Sequence, residues 1–175
     1  MSYRIGWGMD VHQLTVGRDL RIGGVKLPYH LGAAGHSDAD VLLHAICDAM
    51  LGALALGDIG THFPDNDEAY KNIDSRILLR KTNELIRKEQ YRVVNIDSSL
   101  CLEAPKIKPY VPEMQKSIAE ILGIREKDIS IKATTNEKMG FIGRGEGLVA
   151  YAAVLLKEQS EDEPGTIPGT ASAGA

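Results

Sequence analysis

The sequence has no long apolar run, no basic cluster and no paired cysteine motif, and each absence removes a class of protein. No uninterrupted apolar stretch reaches the roughly 18 residues that a transmembrane helix requires. The opening "MSYRIGWGMD" carries neither the basic segment nor the apolar core of a secretory signal, and it does not resemble a plastid transit peptide. A cytoplasmic protein that does not work in a membrane is expected. Only Cys47 and Cys101 occur, both inside apolar periodic segments, so buried free thiols in a reducing compartment are expected rather than a disulfide. Aspartate and glutamate (24) outnumber lysine and arginine (20), for a formal charge of −4. Such a chain is poorly suited to tracking a nucleic-acid backbone. A polyanionic small molecule would have to be neutralised by metal ions and helix N-termini instead. The phosphate-binding signatures G-x-x-x-x-G-K-[ST] and G-x-G-x-x-G are missing as well.

What is present suits one domain with a single core: 175 residues, 43% of them hydrophobic. Residues 3–12 and 20–27 read as extended. "SDADVLLHAICDAMLGALAL" repeats apolar residues at helical spacing, with Ser37 and Asp40 as a capping pair and Gly57 as its end. The loop "DIGTHFPDNDEAYKNI" leads to a second helix over Ser75–Glu89, and "YRVVNIDSSLCL" alternates as a half-buried strand. A third helix is expected over Val111–Leu122, stopped by Gly123, followed by strands "DISIKATT" and "GLVAYAAVLL". This order indicates an α+β fold, a single domain over residues 1–157 whose mixed β-sheet has helices packed on one face. From Ser160 the chain is acidic and then rich in Pro, Gly, Ala, Ser and Thr, so residues 158–175 read as a disordered tail.

In "GMDVHQL", Asp10 and His12 stand at i and i+2, which puts both side chains on one face of a strand. Alone, the pair is weak as a metal signal and reads first as a polar strand end, since such ends are common. His44 lies mid-helix, where a lone histidine is commonly a satisfied core residue, yet Asp40 and Asp48 flank it at i−4 and i+4. Either carboxylate could hold one ring nitrogen and leave the other for a metal. Asp10, His12 and His44 together offer one oxygen and two nitrogens, a set that suits Zn²⁺ with its fourth position open to substrate. His36 and Ser37 stand at the start of the same helix, where free N–H groups favour an anion, although Ser37 could be a cap alone. Asp58, Asp65 and Asp67 concentrate in the following loop, as solvated turn residues or as part of a site. In "KATTNEKMGFIGRGEG", Thr134, Thr135 and Glu137 suit a phosphate-bound Mg²⁺ or Mn²⁺, while the glycines could simply shape a hairpin.

Taken together, "RIGWGMDVH", "IGGVKLPY", "HSDADVLLHAICDAMLGALALGDIGTHFPD", "DSRILLR", "EAPKIKPY" and "IKATTNEKMGFIGRGEG" closely resemble the 2-C-methyl-D-erythritol 2,4-cyclodiphosphate synthase family, in order from Arg4 to Leu156. The resemblance implies a phosphorus–oxygen lyase of non-mevalonate isoprenoid synthesis. In it the 2-phosphate of a CDP-linked methylerythritol attacks the β-phosphorus of the same molecule and releases CMP. It implies zinc on Asp10, His12 and His44, and a second divalent ion on Glu137. His36 and Thr135 would stabilise the transition state, with Ser37 beside the 2-phosphate. Asp58, Ile59, Gly60, Phe63, Pro64, Asp65, Asn66 and Asp67 would line the erythritol pocket. Leu102, Glu103, Ala104, Pro105, Lys106, Ile107 and Lys108, with Ala133 and Thr134, would hold the cytidine, and Phe141 and Arg144 would add substrate contacts. Members are homotrimers with active sites between subunits, and Arg144 and Glu146 would lie near the three-fold axis. Met9 replaces a commonly aromatic residue, Asn136 a common hydroxyl, and the tail after Lys157 has no counterpart.

Two rival readings use the same residues. A phosphohydrolase with zinc-bound water would give linear products. A binding module with a structural zinc should have a closed site with four protein ligands rich in cysteine, and no fourth ligand is evident.

Overall fold

The computed structural model describes residues 1–159; the part of the expected tail from Ser160 onward lies outside the described residues. A five-stranded mixed sheet runs in the order β4-β1-β7-β5-β6, formed by β1 (Tyr3–Thr15), β4 (Gly32–Ala33), β5 (Tyr91–Cys101), β6 (Ile129–Thr134) and β7 (Gly147–Glu158). Strand β7 pairs antiparallel with both β1 and β5, while β5 and β6 are parallel. Helices α1 (Val41–Ala53), α3 (Ser75–Lys88) and α4 (Val111–Leu122) cover one face, and single turns α2 (Ile59–His62) and α5 (Gly140–Gly143) interrupt the loops. This is the expected α+β layering. None of the helices among the described residues is long and apolar enough to cross a membrane.

The alternation of each strand decides what the helices cover. Leu148, Ala150, Ala152, Val154 and Leu156 of β7 are buried with Val93, Ile96 and Leu100 of β5. Helix α3 adds a stripe of Leu78, Leu79 and Ile86, and α4 one of Met114, Ile118 and Leu122, at the three-to-four spacing of a helix with one buried face. Helix α1 is buried on nearly every side because it lies across β1 and β7 and also packs on α3. It lies unusually close to β1. A Cβ at Gly6 would stand 1.8 Å from the Ala49 carbonyl oxygen, and one at Gly8 would stand 2.2 Å from that of Ala45. Bare backbone at both positions is what admits the helix.

Three local expectations change. Residues 20–27 form a hairpin, β2 (Leu20–Ile22) and β3 (Val25–Leu27), because Gly23 and Gly24 both adopt positive φ (62° and 79°) and turn the chain between them. Helix α1 starts at Val41 with Asp40, not Ser37, at the N-cap, and the Ser37 hydroxyl accepts from the Ala39 N–H instead. The helix also ends at Ala53, before Gly57. Both cysteines are free, and burial pushes the Cys47 thiol up to about 12.

Among the described residues, nothing covers the opposite face of β1. Ile5 is 78% and Trp7 65% exposed, with Tyr3, Met9 and Val11 beside them, and Trp7 stacks on Tyr151 at 6.1 Å.

Gly6→Ala should lower the unfolding free energy by at least the roughly 1–3 kcal/mol typical of overpacking, since its Cβ meets backbone that cannot yield. Gly52→Ala is the control: at this exposed position of α1 an added Cβ would meet nothing nearer than the Trp7 carbonyl oxygen at 4.0 Å, so the change should be neutral or stabilise by up to about 1 kcal/mol. Urea unfolding of both variants checks the contrast.

Candidate metal centre and its cavity

The pleat of β1 turns Asp10 and His12 toward α1, and the first turn of α1 brings His44 to meet them. Asp10 Oδ2 lies 2.9 Å from His12 Nε2 and 2.9 Å from His44 Nδ1, and the two histidine nitrogens are 3.2 Å apart. A tetrahedral zinc with bonds of about 2.0–2.1 Å needs donors roughly 3.3–3.4 Å apart, so these atoms require only a slight outward shift. The three residues could hold a metal ion, and one oxygen with two nitrogens suits zinc chemically. Burial by itself would raise the Asp10 carboxyl, but hydrogen bonds and positive charge from His12 and His44 outweigh it and hold it well below the usual carboxylate range. Burial by itself would lower His44, yet its hydrogen bond to Asp10 and the nearby charges of Asp10, Asp40 and Asp38 raise it.

The groups behind His44 are not the expected ones. Asp40 accepts from the N–H groups of Gly23 (2.9 Å), Gly24 (2.7 Å) and Leu43 (3.1 Å), which ties the β2–β3 turn to the helix start. Asp48 accepts from the Ile59 N–H at 2.7 Å. Neither holds the imidazole. His44 Nε2 instead lies 2.9 Å from Ser75 Oγ and 3.2 Å from Ser37 Oγ. Nothing local in the sequence signals Ser75, which sits 31 residues away and reads as an ordinary helix start.

A cavity of about 510 Å³ opens beside the centre, lined by His12, Gly35, His36, Ser37, His44, Ile59, Gly60, Phe63, Pro64, Asp65 and Asn66, together with Tyr70, Ile73 and Leu78. Ten expected site residues thus converge on one cavity. Tyr70, Ile73 and Leu78 carry no such signal in the sequence, where they read as loop and core residues. His36 Nε2 lies 3.2 Å from the Asp67 carbonyl oxygen, which ties the segment before α1 to the loop after α2. Asp58 and Asp67 act locally as caps, accepting from the N–H groups of Thr61 and Ala69.

The remaining expected residues form a second group at the ends of β5 and β6, and none of residues 102–108 or 133–137 lines that cavity. Leu102 N–H donates to the Thr134 carbonyl, and Glu103 Oε1 accepts from the N–H groups of Asn136 (2.9 Å) and Lys138 (3.1 Å). Those bonds hold Glu137 and Lys138 at positive φ, where the Thr135 hydroxyl donates to Glu137 Oε1 at 2.7 Å. Phe141 lines a separate cavity with His12, and Arg144 pairs with Glu146.

The YgbB family model matches residues 3–157, so the chain belongs to the YgbB family of enzymes. Its relatives specify the family further. The 2-C-methyl-D-erythritol 2,4-cyclodiphosphate synthase of Bacteroides fragilis is 58% identical over 156 residues, 89% of this chain and 98% of that protein. The synthase of the same name from Bacteroides thetaiotaomicron is 58% identical over 158 residues, 90% of this chain and 99% of that protein. Among solved structures, the bifunctional IspDF of Campylobacter jejuni superposes with a TM-score of 0.86 at 41% identity, over 90% of this chain and 42% of that one. The IspF of Plasmodium falciparum in a CDP complex superposes with a TM-score of 0.80 at 37% identity, over 91% and 98%. The chain is thus a member of the 2-C-methyl-D-erythritol 2,4-cyclodiphosphate synthase family, as its motifs imply.

His44→Ala should abolish tight zinc binding and leave the far-ultraviolet circular dichroism largely unchanged, because alanine suits the helix and Asp10 keeps His12 as a partner at 2.9 Å. Titration of the metal-free variant with zinc checks this; wild-type affinity in a folded variant would remove His44 from the ligand set.

Proposed function

We propose that this chain closes a cyclic diphosphate by intramolecular phosphoryl transfer. The 2-phosphate oxygen of 4-diphosphocytidyl-2-C-methyl-D-erythritol 2-phosphate bonds to the β-phosphorus, the bond from that phosphorus to the bridging oxygen of CMP breaks, and CMP leaves with the electron pair. The products are 2-C-methyl-D-erythritol 2,4-cyclodiphosphate and CMP, as expected of a phosphorus–oxygen lyase in isoprenoid precursor synthesis. The observation that carries the reading is the convergence of Asp10, His12 and His44 on one point beside a cavity rimmed by His36 and Ser37.

Asp10, His12 and His44 would hold zinc, and Glu137 a Mg²⁺ or Mn²⁺ ion. When bound, these ions supply positive charge to phosphate oxygens of a substrate that an acidic protein otherwise repels. His36 and Thr135 donate to the charge that builds on phosphorus oxygens, and Ser37 positions the 2-phosphate. Asp58, Ile59 and Gly60, with residues 63–67, receive the erythritol. Residues 102–108, with Ala133 and Thr134, receive the cytidine, and Phe141 and Arg144 complete the contacts. No protein nucleophile is required, because both reacting groups belong to one molecule. Holding them in line uses proximity, which contributes about 7–11 kcal/mol in well-oriented intramolecular reactions.

The working form is a homotrimer with sites between subunits. Two observations support it: among the described residues the apolar face of β1 is uncovered, and residues 102–108 and 133–137 do not line the cavity beside the metal centre. Both free thiols fit a reducing, cytoplasmic setting.

Phosphorus NMR of the protein incubated with the CDP-linked 2-phosphate tests the reaction. CMP and the cyclic diphosphate should appear in equal amounts, and a chelator should stop both. A linear product carrying solvent oxygen would instead show hydrolysis. Trp7→Asp should shift the assembly toward the monomer in sedimentation and remove activity, while each chain still binds zinc; an active monomer would contradict sites shared between subunits.

A further inference from the structure

Behind His44, on the side away from Asp10 and His12, stand two residues to which no role has been given, Ser75 and Asp38. Ser75 opens α3 and is fully buried. Its hydroxyl donates to Asp38 Oδ1, and its backbone N–H lies 3.2 Å from Asp38 Oδ2, so the two residues are held together at two points. The same Oγ lies 2.9 Å from His44 Nε2.

The direction of these bonds follows from what each group can do. As a carboxylate, Asp38 only accepts, so the single hydroxyl proton of Ser75 is committed to it. The oxygen that Ser75 turns toward His44 can then only accept, and the proton between them belongs to His44 Nε2. A neutral imidazole carries one N–H and one lone pair. Without a metal, Nδ1 also carries a proton and donates it to Asp10 Oδ2 at 2.9 Å; a bound metal displaces that proton and takes the Nδ1 lone pair, while the Nε2 proton stays directed at Ser75.

We propose that the Asp38–Ser75 pair is a positioning device that fixes His44 as its Nε2–H tautomer and so presents Nδ1 to the metal. This inference rests on the reading of Asp10, His12 and His44 as a zinc site. The arrangement places an anionic residue behind a metal-binding histidine, with a serine hydroxyl between them. Charge on Asp38 thereby strengthens Ser75 as an acceptor and makes His44 a better donor of its lone pair.

Two measurements test the pair. In the zinc-loaded wild-type protein, ring-nitrogen NMR of heavy-nitrogen-labelled histidine should show His44 with its proton on Nε2. Zinc affinity of Ser75→Ala, by competition against a chromophoric chelator, should fall by about 10–100-fold, the usual effect of removing such a partner. Circular dichroism must show that the variant is folded; if it does not fold, Asp38→Asn is measured in its place, and unchanged zinc affinity there overturns the inference equally. A proton on Nδ1 in the zinc-loaded protein, or unchanged zinc affinity in folded Ser75→Ala, overturns this inference and leaves the zinc site standing. Failure of the wild-type protein to bind zinc overturns both.

Discussion

Contact between β1 and α1 without intervening side chains is the constraint on which the rest depends. Gly6 and Gly8 let the helix backbone settle on the strand, and two residues further along the same face Asp10 meets His44 at 2.9 Å. An ordinary packing of layers keeps the backbones about 10 Å apart, filled by side chains. There His44 would face a hydrophobic layer and Asp10 would be an uncompensated buried carboxylate. The close approach turns two residues that are costly to bury apart into a mutually satisfied pair, with His12 as a third member.

Once that contact is fixed, the surrounding polar groups divide their work with little overlap. Asp40 is spent on the helix start and the β2–β3 turn, Asp48 on the start of α2, and Asp38 on Ser75. Each carboxylate near His44 therefore has its own hydrogen-bond donors. The imidazole is oriented from behind by hydroxyls and from in front by Asp10. The cavity beside the centre is lined by His36 and Ser37 rather than by lysines or arginines. A chain of net charge −4 that holds a diphosphate, as proposed, would draw on bound cations.

Much of this is legible in the sequence, for physical reasons that differ by element. The period of two in β1 and the helical period around His44 are local, so the pattern offers Asp10, His12 and His44 as candidate ligands, while their convergence shows only in the fold. The long helices α3 and α4 are equally clear, with Gly123 in a left-handed conformation (φ 70°) at the expected stop. The adjacent glycines of the β2–β3 turn are visible in the chain, yet the flanking apolar residues make the whole segment read as one strand. The expected role of Asp40 fails because i−4 spacing predicts proximity and not direction: its side chain turns to backbone N–H groups, two of which come from another segment. Ser75 and Asp38 leave no trace in the pattern, since their meeting with His44 depends on how α3 packs on α1. The exposed apolar residues of β1 are equally present in the sequence; only the fold shows which side the helices leave bare.

If the close packing of α1 on β1 builds a three-residue zinc site with one position left for substrate, the ion itself should be visible there. Anomalous diffraction at the zinc edge, from crystals grown with zinc and CDP, measures this most directly. One peak is expected, bonded at about 2.0–2.2 Å to Asp10 Oδ2, His12 Nε2 and His44 Nδ1, with a phosphate oxygen or water as fourth ligand. Zinc bound elsewhere, or closed off by a fourth protein ligand, would contradict it.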